Sequence, residues 1–316
     1  MKAAIIDRYG SPEVLQIKEV EKPQIESDQM LVKVHASSIN PIDWKIRKGL
    51  LKNRSGNDFP MFLGYDVSGE VVEVGDRIKQ FQPGDLIYAR LDRSTGAAYA
   101  EYAAVSMAVA AAKPNNMSHE EAATVPLAAM TALQALQNKG NIKAGDKVLI
   151  NGASGGVGIF AVQIAKALKA EVTGVCSGSN VEMVKNLGAD RVINYKEQDF
   201  TEDNVKYDIV FDVVGKSTPP ECKSVLKPDG VYITTQPTPD DKLKEWEKLM
   251  PEQKAKVIML QSNAEDLVYL TREIEAGKIK TVIDRTYPLS EIADAHAYSE
   301  TEHAAGKIAI AMVREA

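Results

Sequence analysis

The chain has little cysteine, little histidine and no long apolar run, and each shortage removes a class of protein. Of 316 residues only Cys176 and Cys222 are cysteines. Two thiols cannot staple a disulfide framework and suit a reducing compartment, so a cytoplasmic location is expected. No stretch approaches the ~18 consecutive apolar residues of a membrane span. The opening Met1-Lys2-Ala3-Ala4-Ile5-Ile6-Asp7 puts an acid where a signal peptide would be apolar. Basic residues are outnumbered, 38 Lys and Arg against 44 Asp and Glu, for a net charge of −6. Such a surface does not attract nucleic acid or an anionic membrane, so neither partner is expected. A local basic patch for a phosphate-bearing ligand remains compatible with it.

What is present is the profile of a soluble globular chain, 44% hydrophobic and 26% charged, long enough for two domains. The first 110 or so residues read as β-rich, with runs such as Met30 to His35 and Val67 to Val74 punctuated by glycine and proline. Ser118-His119-Glu120-Glu121 before an alanine-rich run predicts a capped helix start. From Lys147 strands alternate with helices. Val148 to Asn151, Glu171 to Cys176, Arg191 to Asn194, Ile209 to Val214 and Val231 to Thr235 read as strands, and Val157 to Lys169 and Val181 to Leu187 as helices. That rhythm predicts right-handed crossovers and a parallel sheet covered on both faces. A charged helical stretch is expected over Asp240 to Lys256 and another helix over Ala264 to Gly277. The tail from Val282 to Val313 reads as strand, helix, strand.

The strongest local signal is Lys147-Val-Leu-Ile-Asn-Gly-Ala-Ser-Gly-Gly-Val-Gly158. Small residues between an apolar strand and a helix let the backbone turn sharply against a pyrophosphate, which the helix N-terminus then receives. With a second strand on schedule the context fits dinucleotide binding; the alternative is a turn kept only for tight strand–helix packing. A site specific for NAD carries Asp or Glu at the end of the second strand. Here Val175-Cys176-Ser177-Gly178-Ser179-Asn180 has no carboxylate before Glu182, which favours NADPH. The alternative reading is a solvated Ser/Gly turn indifferent to the 2′-phosphate.

At this point the sequence resembles a family. Gly145-Asp146, Leu149, Ala153-Ser154-Gly155-Gly156, Gly158, Gln163 and Lys166 are similar to the signature of the zinc-independent quinone oxidoreductases (ζ-crystallin-like) of the medium-chain dehydrogenase/reductase superfamily. Asn40-Pro41-x-Asp43-Trp44-Lys45, Gly64-Tyr65-Asp66-Val67-Ser68-Gly69, Pro83-Gly84-Asp85, Ala100-Glu101-Tyr102, Leu187-Gly188-Ala189-Asp190 and Gly306-Lys307 extend the likeness along nearly the whole chain. The resemblance implies an α/β protein with a GroES-like β-barrel catalytic domain, expected over 1–120 and 283–316, and a Rossmann doubly wound parallel-sheet domain over 121–282. It implies a cleft between them, a homodimer or tetramer, and NADPH-dependent reduction of small-molecule quinones. The alternatives are an enone or 2-alkenal reductase of the same family and a non-catalytic NADPH-binding sensor or structural protein.

Zinc relatives in this superfamily need a thiolate three residues before an Asp, and a histidine in Gly-His-Glu. Those positions hold Asn40 and Tyr65, neither of which replaces Cys or His toward zinc. His35, His119, His296 and His303 show no paired ligand spacing, so no metal is expected. Asn40 and Tyr65 are therefore expected to line the substrate pocket, with Tyr65 able to donate a hydrogen bond or stack on a ring. Asp43 and Asp66 are read as holding loop structure, and both cysteines as structural thiols. Gly155, Gly156, Val157 and Gly158, with Ser154, are expected at the pyrophosphate. By resemblance, Ser177, Ser179, Asn180 and Tyr195 surround the 2′-phosphate, Thr131 lies near the nicotinamide-side phosphate, and Gly215 joins the cofactor set. Lys45 and Lys307 are candidate phosphate partners through their charge.

Overall fold

The structure, a computed structural model, describes residues 1–312; the last residues of the expected tail, 313–316, lie outside the described residues. The chain forms two compact units. One comprises Met1–Ala128, Ser262–Gly277 and the chain from Thr281; the other comprises Ala129–Gln261 and Lys278–Lys280.

The first unit is built on a seven-stranded sheet. Its order is Ile283–Pro288, Lys307–Ala311, Gln29–Ile39, Asp66–Val74, Leu86–Arg90 and Ala110–Ala112, with Tyr102–Ser106 also paired to Gln29–Ile39. A β-branched and alanine-rich cluster that includes Val32, Val67, Val71, Ile87 and Val105 fills one part of its core. A second cluster gathers Ile39, Ile46, Leu63, Tyr65, Tyr99, Ile308 and Ile310. Gly69 is obligatory here, since a Cβ would sit 2.1 Å from the Lys33 carbonyl where the sheet register shifts. Pairing of Ile39 with Ile308, Ser38 with Asp66, and Asp66 with Arg90 draws Asn40, Asp66, Arg90 and Lys307 to one end of the sheet.

In the second unit six parallel strands run in the order Arg191–Asn194, Glu171–Cys176, Lys147–Asn151, Tyr207–Asp212, Leu226–Thr234 and Lys254–Val257. This is the doubly wound order of a Rossmann sheet, whose ligands gather beyond the carboxyl ends of the strands. Val148, Leu149 and Ile150 are fully buried in the central strand, as a parallel sheet covered by helices requires.

Two expectations change. The charged stretch read as helical to Lys256 is a helix only over Asp240–Leu249; Pro251 follows, and Lys254–Val257 becomes the sixth strand. Lysines suit it because it is an edge strand, where charge discourages further pairing. The units also divide differently from 121–282. Residues 121–128 and the helix Ala264–Glu275 group with the first unit, where Leu267 and Leu270 are fully buried and the Tyr88 hydroxyl donates to the Leu267 carbonyl at 2.7 Å. The capped start at Ser118 is present: Ser118 Oγ accepts from the Glu121 N–H at 3.1 Å, and Glu121 Oε2 accepts from the Ser118 N–H at 2.9 Å.

Candidate active site

The second unit holds the glycine turn. The strand ends at Asn151, the chain reverses through Gly152 at φ +87°, and a helix opens at Gly156. Gly155 is its N-cap and no side chain caps it, so the first-turn N–H groups of Gly156, Val157 and Gly158 are left without a capping hydroxyl, as an anion-binding helix start requires. A Cβ on Gly158 would lie 2.1 Å from the Gly152 carbonyl oxygen, so only glycine lets the helix seat this closely. The same Cβ on Gly155 would meet that oxygen at 3.4 Å, an ordinary contact. The cradle fits a dinucleotide pyrophosphate: close backbone, open N–H groups and a helix N-terminus.

The next strand ends at Cys176, and the following turn joins the cradle. Asn180 Nδ2 donates to Ser154 Oγ and to Ser177 Oγ, both at 3.2 Å, and the Ser177 and Ser179 hydroxyls lie 3.1 Å apart. The Tyr195 N–H donates to the Cys176 carbonyl at 3.1 Å, which brings this exposed tyrosine to the same rim. The structure thus brings Ser154, Ser177, Ser179 and Asn180 together, with the Tyr195 backbone bonded beside them at Cys176. A cavity of about 590 Å³ opens beside them, lined by Gly178, Glu182, Asn194 and Glu197 among others. Glu182 is paired with Lys185 at 2.9 Å.

Beyond the fourth strand, Asp212 organises the loop that carries Gly215. Its buried carboxylate accepts from Asn151 Nδ2 at 3.0 Å and from the N–H groups of Val214, Gly215 and Ser217 at 3.1, 2.9 and 3.1 Å. The Tyr232 hydroxyl adds a fifth bond at 2.9 Å. The sequence reading named Gly215 and missed Asp212. The available signal was an acid closing an apolar strand one turn before a glycine. Thr131 is buried in the helix Pro126–Gln134.

In the first unit Asn40 sits at the centre of a buried polar cluster. Lys307 Nζ donates to Asn40 Oδ1 at 2.6 Å, and Asn40 Nδ2 donates to Asp66 Oδ2 at 2.8 Å. Lys307 Nζ also reaches the Ile39 carbonyl at 3.3 Å and lies 3.9 Å from Asp66 Oδ2. Asp66 further accepts from Ser38 Oγ and the Leu127 N–H, both at 2.9 Å. Asp43 Oδ2 accepts from the Asn40 N–H and the Tyr99 hydroxyl, each at 2.7 Å. Burial raises the Asp43 carboxyl to about 7, against the pull of its two donors, while burial lowers the Lys307 ammonium despite the two acids beside it. The two aspartates do hold local structure, and they also set the charge around Asn40.

Two expectations need correction here. Lys307 is not a surface cation waiting for a phosphate: it is 3% exposed and engaged with Asn40, because every residue of its strand Lys307–Ala311 faces packed neighbours. Tyr65 is fully buried, its hydroxyl donates to the Ser94 carbonyl, and its ring lies under the Arg90 guanidinium at 4.7 Å, so its donor is already used. Lys45, the other candidate phosphate partner, lies on the helix Pro41–Arg47 with its ammonium 5.5 Å from the Trp44 ring. Arg90, which donates to Ser262 Oγ, was missed altogether, since nothing in its own strand marks it. The structural reading of the thiols fits: both are buried, and burial raises Cys176 to about 11 and Cys222 further. Among the described residues no three His, Cys, Asp or Glu side chains gather as a metal-ligand group. No helix among them is long and apolar enough to cross a membrane.

Two family models match the chain, the alcohol dehydrogenase GroES-like domain over residues 26–115 and the zinc-binding dehydrogenase over residues 187–310. A chloroplastic quinone-oxidoreductase homolog from Spinacia oleracea is 39% identical over 95% of both chains. The chloroplastic NADPH-dependent alkenal/one oxidoreductase of Arabidopsis thaliana is 35% identical over 98% of this chain and 79% of its own. Among solved structures, the quinone oxidoreductase from Coxiella burnetii superposes with a TM-score of 0.91 at 35% identity, covering 99% of each chain. With its GroES-like unit, its Rossmann sheet and its glycine cradle, the chain belongs to the quinone oxidoreductase branch of the medium-chain dehydrogenase/reductase superfamily.

Proposed function

We propose that this protein is an NADPH-dependent reductase of quinones or of related activated alkenes and that it works without zinc. The observation that carries the reading is the Gly152–Gly158 cradle joined through Asn180 to a rim of hydroxyls that bears no carboxylate at the end of its strand. Gly155, Gly156, Val157 and Gly158 would hold the pyrophosphate, and Ser177, Ser179 and Asn180 the 2′-phosphate, with Tyr195 beside them. Gly215, fixed by Asp212, would contact the nicotinamide half. When bound, NADPH supplies a hydride, that is, two electrons and a proton. As the acceptor took up that hydride its π pair would pass to its oxygen, where Asn40 would donate a hydrogen bond, and water would supply the final proton.

The zinc-free reading rests on residue chemistry. An amide at position 40 and a buried, hydrogen-bonded phenol at 65 replace the thiolate and imidazole that bind zinc in metal-dependent relatives. The buried free thiols fit a reducing compartment, and we place the enzyme in the cytoplasm as a homodimer. The test is NADPH oxidation followed at 340 nm with a benzoquinone, a naphthoquinone, a short enone and a simple aldehyde, with NADH and a chelator as controls. Chelator-insensitive turnover of quinone or enone, with NADPH preferred, supports the reading and separates the two acceptor classes. NADPH binding without turnover of any acceptor would move the assignment to a non-catalytic sensor.

A further inference from the structure

The Asn40 carboxamide is held at both ends by opposite charges. The Lys307 ammonium donates to its oxygen at 2.6 Å, and the Asp66 carboxylate accepts one of its N–H bonds at 2.8 Å. A flipped amide would set N–H against ammonium and carbonyl oxygen against carboxylate, so the two charges permit one orientation only. All three groups are buried, Asn40 at 1%, Asp66 at 0% and Lys307 at 3% exposure, where such pairs are strengthened. Each clamp is fixed in turn. Asp66 accepts from Ser38 Oγ and the Leu127 N–H, and Lys307 is steadied by the Ile39 carbonyl. One N–H of the carboxamide is left over, and its nitrogen belongs to an amide polarised from the carbonyl side by a cation.

We propose that Lys307 is a positioning residue for the reduction: with Asp66 it locks and polarises the Asn40 carboxamide so that its remaining N–H meets the acceptor oxygen as that oxygen gains charge. The inference rests on the reductase reading above. It also gives Lys307 a role different from the phosphate contact that its charge suggests in the sequence.

The experiment is a double-mutant cycle of wild type, Asn40→Ala, Lys307→Met and the double variant. It measures kcat and KM for a quinone and an enone, together with the NADPH dissociation constant by cofactor fluorescence. Lys307→Met is expected to lower kcat on the order of 10- to 100-fold when Asn40 is present and less than about 2-fold when it is absent, with NADPH affinity unchanged. An equal loss in both backgrounds overturns the proposal, as does weakened NADPH binding with kcat retained, which is the signature of a phosphate partner. Should Lys307→Met fail to fold, Asp66→Asn removes the other charged clamp, and its loss of kcat must likewise vanish in the Asn40→Ala background. A wild type inert toward every acceptor would refute the reductase reading and this inference with it; an active wild type with an additive cycle refutes the inference alone.

Discussion

Gly158→Ala and Gly155→Ala, two changes three residues apart in one turn, separate cofactor binding from packing. The Cβ added at Gly158 would stand 2.1 Å from the Gly152 carbonyl oxygen and 2.8 Å from Ala153 backbone atoms. An ordinary carbon–oxygen contact is ~3.3 Å, so the helix start must retreat by about 1 Å. Overpacking of this kind costs about 1–3 kcal/mol of stability. The displaced N–H groups lose charge-assisted bonds worth about 1.5–3 kcal/mol each, which makes NADPH affinity at least about 100-fold weaker. Gly155 has φ −83° and ψ 174°, which alanine adopts freely, and its Cβ would meet nothing closer than 3.4 Å. Gly155→Ala should therefore leave the melting temperature unchanged while weakening NADPH about 10-fold or more, because the methyl occupies the face a pyrophosphate approaches. Thermal melts and fluorescence titration read both. If Gly155→Ala is silent in both assays and Gly158→Ala only lowers the melting temperature, the turn serves packing alone and the cofactor assignment fails.

Three further changes test the electrostatics. Asp43 titrates near 7 when folded, above its unfolded value of 3.8, so the stability it contributes is complete below pH 3.8 and is lost as pH rises through about 7. Asp43→Asn should therefore gain on wild type by up to about 1.4 kcal/mol per pH unit across that window, in denaturant melts; a pH-independent difference would contradict the burial argument. His296 runs the other way. It is fully buried against Tyr99 and held at about 3, chiefly by burial and then by Arg47, so its contribution is present above pH 6.5 and lost as pH falls toward 3. His296→Phe should shift acid unfolding to lower pH, and an unchanged acid midpoint would count against it. Ser177→Asp puts a carboxylate at the strand end beside Asn180 and should raise the NADPH dissociation constant about 10- to 100-fold with little change for NADH. Equal effects on both cofactors would place the 2′-phosphate elsewhere.

How much of this could be read from the chain depends on sequence distance. The cradle was legible because strand, turn and helix are consecutive, and Ser154, Ser177 and Asn180 lie within 26 residues of one another. Asn40 and Tyr65 could be singled out by the family pattern, but their environments could not. Asn40 is held by a lysine 267 residues away, and Arg90 by a serine 172 away, and only the folded sheet joins them. Lys307 looked like a surface charge because lysine nearly always is; its burial follows from the strand around it, all five residues of which are buried. The strand Lys254–Val257 was hidden for the opposite reason. Its lysines carry no β signal, and pairing with Leu226–Thr234 decides its state.

The same cluster bears on which acceptors the enzyme reduces. A divalent metal touching a carbonyl oxygen at ~2 Å would interact with a full negative charge by about 16 kcal/mol at an effective dielectric of ~20. The Lys307 ammonium lies 2.6 Å from the Asn40 oxygen, which would put it ~7 Å from an acceptor that, as proposed, bonds to the amide nitrogen. At that distance and dielectric a single charge supplies about 2–3 kcal/mol, and Asp66 offsets part of it. A simple aldehyde concentrates its developing charge on one oxygen and needs the larger figure. A quinone or an enone spreads that charge through its own conjugation and needs far less help. In the acceptor panel the aldehyde should stay unreduced, or at least 100-fold slower than the quinone or enone in kcat/KM. Comparable rates would mean that some stronger electrophile than the Asn40 amide acts on the carbonyl.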